Sequence, residues 1–315
     1  MDAIVLPYAT TSIAWLFPGQ GSQVVGMGKA LSEEFPEVRR LYKLADEVLG
    51  RKLSDLCFNG PTDQLQRTDN AQPALLVTAL GHLAALQATY PTRFDNVDFV
   101  AGHSLGEYTA LVAAGALAFE NALKLVAERG RLMHEAGFVG GVATGMSAII
   151  GMPDSELDGV CEDAGVDLAN LNAPGQAVIS GPLDALERAG QLAKERGARR
   201  VIPLPVSAAF HSRWMRPMSE EFASQIEGVA FSEPRMPVVA NVTAHPTSAK
   251  EIPNLLAMQT YSPVRWVESV QYMAKQGVHA FIEIGPGKVL SGLVKRIEPE
   301  AQILSSEDML AKVGT

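Results

Sequence analysis

Cysteine is scarce: Cys57 and Cys161 are the only two, far apart and outside any CxxC or Cys/His cluster. That leaves no disulfide framework and no structural zinc site, and both read as semi-buried thiols. No apolar run approaches the roughly 20 residues that cross a bilayer. Met1 to Thr10 lacks the basic start and apolar core of a secretory signal, so the cytoplasm is the expected address and no membrane partner is expected. Basic charge is in deficit, 26 Lys and Arg against 35 Asp and Glu for a net charge of −9. With no Lys/Arg run interleaved with aromatics, a nucleic-acid groove lacks its electrostatic footprint. Phosphate-cradling loops are missing too. Gly19-Gln20-Gly21 is followed by Val24 where GxGxxG needs glycine, and no GxxxxGK precedes a Ser or Thr. No two histidines lie within one helical turn, so no metal is suggested.

What is present is a chain of 315 residues with 47% hydrophobic content, enough for a substantial core in one large domain with an insert or in two domains. Ser12–Phe17 is a short apolar run that stops at Pro18-Gly19-Gln20-Gly21, a strand feeding a tight loop. Gly28–Leu49 and Gln72–Thr89 carry apolar residues at helical spacing, and Val97–Ala101 is again a buried strand. This alternation predicts a parallel sheet covered by helices, to which Pro237–Val242 and Ala280–Ile284 add two more strands. Between them the texture changes. Met146–Ile150, Asp154–Ala164, Val166–Leu171, Ala177–Ser180, Leu183–Arg196 and Arg200–Leu204 read in order as β-α-β-β-α-β, the ferredoxin-like motif. The expected division is a large α/β domain over 1–140 and 207–315 and a small ferredoxin-like domain over 141–206, with crossing points near Gly140-Gly141 and Pro203–Pro205.

Gly102-His103-Ser104-Leu105-Gly106 matches G-x-S-x-G and lies between the Val97–Ala101 strand and a helix-like stretch, Leu105–Leu117. A sharp strand-to-helix turn exposes the Ser104 hydroxyl and needs glycine on either side, because a Cβ there would collide with neighbouring backbone. The Leu105 amide at the helix start can stabilise an oxyanion. The plainer reading is a serine that caps the helix. A serine nucleophile needs a base, and there are six histidines. His82 falls in an apolar helix, His103 is in the turn itself, and His134 sits on a polar helix face. His211, in the loop Ala208-Ala209-Phe210-His211-Ser212, is the best placed of them, against the alternative of a hydrogen-bonded surface histidine. On a helix over Ala118–Ala136, Arg129 is surrounded by Ala122, Leu125, Val126, Leu132, Met133 and Ala136, all apolar. A core-facing guanidinium calls for an anion, either a protein carboxylate or the carboxylate of a substrate held by two parallel N–H···O bonds.

Phe17–Gln23, Gln72–Leu76, Gly102–Tyr108, the Arg129 helix, Asn172–Gln176, the His211 loop and Gly285–Lys288 together resemble the malonyl-CoA:acyl carrier protein transacylases of fatty-acid and polyketide synthesis, over nearly the whole chain. The resemblance implies an α/β-hydrolase-like large domain with a ferredoxin-like insert and the site between them. It implies Ser104 as nucleophile, His211 as base, the Gln20 and Leu105 amides as oxyanion hole, and Arg129 as the malonyl-carboxylate ligand. The Gln259 carbonyl would orient the histidine in place of a triad carboxylate, with His103, Phe210 and Asn172 about the substrate pocket. Ala208-Ala209-Phe210 departs from the bacterial fatty-acid pattern and is more like malonyl-selective polyketide acyltransferases. The partners implied are malonyl-CoA and an acyl carrier protein, which carries its own phosphopantetheine; no cofactor or metal is implied, and a monomer is expected. A serine thioesterase or esterase releasing acyl groups to water, or a silent carrier-protein docking subunit, are the competing readings.

Overall fold

The computed structural model describes residues 12–91, 97–139, 142–206 and 208–311. Ten strands lie among them: β1 (Ile13–Phe17), β2 (Phe99–Gly102), β3 (Phe138–Val139), β4 (Val142–Ile150), β5 (Asp167–Ala173), β6 (Gln176–Pro182), β7 (Arg200–Pro203), β8 (Val238–Val239), β9 (Ala280–Glu283) and β10 (Gln302–Ser305). The larger sheet has the order β10-β9-β1-β2-β8 and every pairing in it is parallel. A parallel sheet with helices on both faces needs strands that are apolar on both sides. β1 meets this demand: Trp15 and Phe17 enter one core cluster, Ala14 and Leu16 the opposite one.

The smaller sheet follows the expected β-α-β-β-α-β order. β7 pairs β4, β4 pairs β6 and β6 pairs β5, all antiparallel, which is the ferredoxin-like arrangement. Helices Leu157–Ala164 and Leu183–Glu195 pack on the face presenting Ile149, Ala177 and Ile179. The opposite face turns Met146, Ala148 and Val178 into the main core. β5 is also tied to the larger unit, Leu171 donating to the Val264 carbonyl (3.0 Å) and the Val264 amide to Ala169 (2.8 Å). Gly140 and Gly141, at the first expected crossing, lie outside the described residues, as do Ser207 and Met1–Thr10; Pro203–Pro205, the second, ends and follows β7.

Several element boundaries differ from the pattern reading, each for a local reason. Gly28–Leu49 is not one helix but two, Lys29–Glu34 and Pro36–Leu49. Phe35, held extended by the following proline, breaks them, and Pro36 opens the second. The helix expected to reach Leu117 ends at Ala113, and Gly115 (φ 70°) turns the chain. Helix Thr68–Thr89 contains Pro73, which has no N–H to give the Asp69 carbonyl; Arg51 Nη2 donates there instead at 3.1 Å.

In that same helix His82 is buried, its Nδ1 2.9 Å from Ser306 Oγ, and Ser306 in turn bonds both the amide and the carbonyl of Gly285. Gly285 has φ 144°, and a Cβ on it would sit 2.7 Å from Pro18 Cγ, so this buried clamp seats the loop that follows β9 against the loop that follows β1. Burial pushes the His82 imidazole down to about 4. The unfolded chain takes up this proton below about 6.5, the folded one only near 4, so stability falls as pH drops through that window. His82→Leu leaves Ser306 its Gly285 partners. Its destabilisation at pH 7 is expected to shrink by about 2 kcal/mol at pH 5. Urea midpoints of both proteins at the two pH values check this, and a pH-independent cost would contradict it.

Candidate active site

β2 ends in a turn whose geometry only glycine permits at two points. A Cβ on Gly102 would lie 1.9 Å from the Gly106 carbonyl carbon, and one on Gly106 would lie 2.1 Å from the Phe17 oxygen. Between them Ser104 is left-handed, with φ 51°. A non-glycine residue held there costs on the order of 1–3 kcal/mol, so the surroundings must over-determine it. Asn241 does much of this, its Oδ1 accepting from the Ser104 amide and its Nδ2 donating to the Gly102 carbonyl, both at 2.7 Å. Helix Gly106–Ala113 has no side-chain cap, so Ser104 is not a capping residue.

The hydroxyl instead lies 2.7 Å from His211 Nε2. His211 Nδ1 is 2.8 Å from the Gln259 carbonyl, which can only accept, so Nδ1 carries the proton and Nε2 is left to receive the one on Ser104. No carboxylate stands behind this imidazole among the described residues. His211 is also left-handed, φ 58°, with its amide bonded to the Thr260 carbonyl. It is 4% exposed, and burial, with the Arg129 charge added, pushes it down to about 3. It is therefore a neutral base at any ordinary pH, not a surface histidine.

Arg129 is 1% exposed on helix Phe119–Glu135. Its neighbour Gly130 lets that helix approach the start of helix Thr68–Thr89 closely; a Cβ there would come 2.7 Å from the Thr68 oxygen. Nη1 donates to Gln72 Oε1 (2.7 Å), while Nη2 donates to Gln259 Oε1 (3.0 Å) and to Ser104 Oγ (3.1 Å). Nε has no hydrogen-bond partner among the described residues. Where the apolar helix face called for an anion in contact, the protein supplies neutral oxygens and the Tyr108 ring face, 5.6 Å from Cζ. The nearest carboxylate in this network is Glu107, one amide away behind Gln259. Burial lowers the guanidinium's proton affinity, and the Tyr108 and Glu107 neighbours partly restore it. Burial likewise raises Glu107 to about 7.

These groups open on a cavity of about 320 Å³ between the two sheets, lined among others by Gln20, His103, Ser104, Leu105, Arg129, Met133, Met146, Val206, Phe210 and His211. Neither the Gln20 nor the Leu105 amide has an acceptor among the described residues. Asn172 stands behind the wall rather than on it, its Oδ1 holding His103 Nε2 at 2.8 Å. Gln72, Glu107 and Asn241 carried no assigned role in the sequence. The signal for the first two was there, as polar residues within apolar helices; Asn241 follows an apolar strand and gave none. The constellation can attack a carbonyl, gather the oxyanion and grip an anionic group one small unit away.

The acyl transferase domain family matches residues 14–312. The chain is 48% identical over 304 residues to the malonyl CoA-acyl carrier protein transacylase of Bacillus subtilis, covering 95% of this chain and 94% of that protein. It superposes on the crystal structure of an acyl carrier protein S-malonyltransferase from Vibrio cholerae with a TM-score of 0.90 at 42% identity, covering 95% of this chain and all of that one. A malonyl-transacylase solved in complex with its type II PKS acyl-carrier protein gives a TM-score of 0.88 at 40% identity, over 94% of this chain and 95% of that one.

Because His211 is held near 3, its neutral fraction does not change between pH 8 and pH 5. Labelling of Ser104 by a fluorophosphonate should be flat over that range. A histidine of ordinary pKa would slow it about thirtyfold at pH 5. His211→Ala should slow labelling by about 100-fold or more. A drop centred near pH 6.5 would contradict the assignment.

Proposed function

The chain belongs to the acyl transferase domain family, and we propose that it moves a malonyl group from malonyl-CoA to the phosphopantetheine thiol of an acyl carrier protein. The observation that carries this reading is a buried guanidinium with no contacting carboxylate among the described residues, 3.1 Å from the candidate nucleophile. A malonyl thioester brings both halves of what that arrangement lacks. Its free carboxylate takes the second Nη1 proton and the Nη2 proton now donated to Ser104 Oγ, and its thioester carbonyl falls over the hydroxyl.

Ser104 Oγ attacks that carbonyl as its proton passes to His211 Nε2. The oxyanion rests on the Gln20 and Leu105 amides, and collapse expels the coenzyme A sulfur, which takes the proton from His211. The carrier's thiol then gives its proton to His211, its sulfur attacks the malonyl ester, and Ser104 Oγ leaves with the proton returned. Each step is acyl transfer and proton transfer by these side chains, so the proposal calls on no added cofactor. Loading also readies the base. The Arg129 charge is one cause of His211's low proton affinity, and a bound carboxylate cancels it. The neutral Gln259 carbonyl stabilises imidazolium less than an aspartate would, which favours a thiol acceptor over water and speaks against an esterase or thioesterase. A silent docking subunit would have no use for so complete a set.

His103, held by Asn172, and Phe210 form walls of the acyl pocket in this reading. In the same reading the described residues of 1–140 and 207–315 form the larger unit and those of 141–206 the smaller, whose Met146 and Val206 close the cavity from the far side. All proposed catalytic groups come from one chain, so a monomer suffices. No helix among the described residues is long and apolar enough to cross a membrane. Two buried free thiols accord with the cytoplasm as the proposed location.

Mass spectrometry after mixing with malonyl-CoA should show a malonyl adduct on Ser104 that an acyl carrier protein discharges. No adduct, or free malonate with carrier ignored, would sink the proposal. Arg129→Ala should lower malonyl acylation about 100-fold, some 3 kcal/mol, while acetyl acylation changes far less. Equal losses would make Arg129 merely structural.

A further inference from the structure

Glu107 is 2% exposed and takes no part in the steps above. It follows the elbow directly, in the first turn of helix Gly106–Ala113. One of its oxygens, Oε2, accepts from the Asn241 amide at 2.9 Å and from Gln259 Nε2 at 2.7 Å. The Gln259 amide is engaged at both ends. Nε2 also donates to the Ser104 carbonyl (3.1 Å), and Oε1 accepts from Arg129 Nη2 (3.0 Å).

An amide turned end for end keeps its shape and exchanges donor for acceptor. Reversed, Gln259 would aim its NH₂ at the guanidinium, donor against donor, and Arg129 would lose one of the two neutral acceptors that hold its charged fork in place. Nothing on the arginine side prevents this except the arginine itself, whose position is the thing to be fixed. The Glu107 oxygen prevents it from the far side together with the Ser104 carbonyl, since both demand the NH₂ end of the amide, and Glu107 makes the shorter of the two bonds, 2.7 Å against 3.1 Å.

We propose that Glu107 is a positioning residue for substrate recognition: by fixing the orientation of the Gln259 amide, it aims Arg129 at the carboxylate of the incoming acyl group. This rests on the reading of Arg129 given above. The second bond of Glu107, to Asn241, braces the elbow and serves any acyl group alike. The two effects separate on substrates with and without a carboxylate. Loss of the brace lowers malonyl and acetyl acylation together, whereas loss of the Gln259 orientation lowers only the preference for malonyl.

The test is the rate of Ser104 acylation by malonyl-CoA and by acetyl-CoA, in the whole chain, for wild type, Glu107→Ala, Glu107→Gln, Gln259→Met and the Glu107→Ala/Gln259→Met pair. Gln259→Met keeps the backbone carbonyl that His211 needs and removes only the amide. Glu107→Ala should lower the malonyl-to-acetyl ratio of kcat/KM about tenfold, the loss appearing mainly in KM for malonyl-CoA. Glu107→Gln, which keeps an acceptor oxygen, should restore the ratio to within about threefold of wild type. Gln259→Met should lower it as Glu107→Ala does, and the pair should lower it no further. Equal losses for both substrates in Glu107→Ala, or an additive pair, would overturn the proposal. Should Glu107→Ala fail to fold, Glu107→Met fills the space without an oxygen and takes its place with the same two outcomes. A wild type with no preference for malonyl would instead bring down the reading of Arg129, so the two failures are distinguishable.

Discussion

A guanidinium enclosed at 1% exposure, with no carboxylate in contact among the described residues, is the constraint on which the rest of the site depends. Placing a charge there without a direct counter-ion costs several kcal/mol, and a carboxylate in contact would remove much of that cost. It would also occupy the group. The protein compromises by surrounding Arg129 with oxygens that carry no charge and by setting Glu107 one amide behind them. The cation is tolerable in this setting and, lining the cavity, still has hydrogen-bonding capacity to spare. In the proposed reaction an anionic substrate would complete that capacity, and an uncharged acyl group would leave it unmet.

The second constraint is geometric. The proposed nucleophile and the proposed base both sit at positive φ, 51° for Ser104 and 58° for His211, where side-chain-bearing residues are disfavoured. Each is held by a bond from another part of the chain: Asn241, which follows β8, grips Ser104, and the Thr260 carbonyl grips the His211 amide. Both anchors belong to the later half of the larger unit, while the elbow and Arg129 belong to the earlier half. The site therefore exists only once the parallel sheet has closed, and the smaller ferredoxin-like unit then roofs it with Met146 and Leu204.

Much of this was legible in the residues, and what was not has a physical reason. The glycines at 102 and 106 revealed the elbow because a Cβ at either position would clash, a purely local condition. Arg129 stood out because a charge on an apolar helical stripe violates a periodicity. The β-α-β-β-α-β order could be read because each of its strands is short, apolar and bounded by turns. β10 escaped notice because it is an edge strand with an exposed start and only half-buried centre, and so carries no apolar run. The Gly28–Leu49 helix was read too long because helical spacing continues in phase across the break that Pro36 imposes. Asn241 and the part played by Glu107 could not be read at all. Their partners lie 134 to 152 residues away, and no local pattern records a contact made by the fold.

Gln259 shows how closely base and substrate binding are joined. Its backbone carbonyl fixes the His211 tautomer, and its side chain orients Arg129, so one residue answers for both halves of the reaction. The two halves also oppose each other, because the Arg129 charge adds to burial in disfavouring the imidazolium that proton transfer from Ser104 creates. A carboxylate on Arg129 removes that opposition at the moment when the carbonyl is in place. In the proposed reaction the arginine would do two things with one charge: attract the substrate carboxylate and, until that carboxylate binds, add to the burial that disfavours a protonated His211.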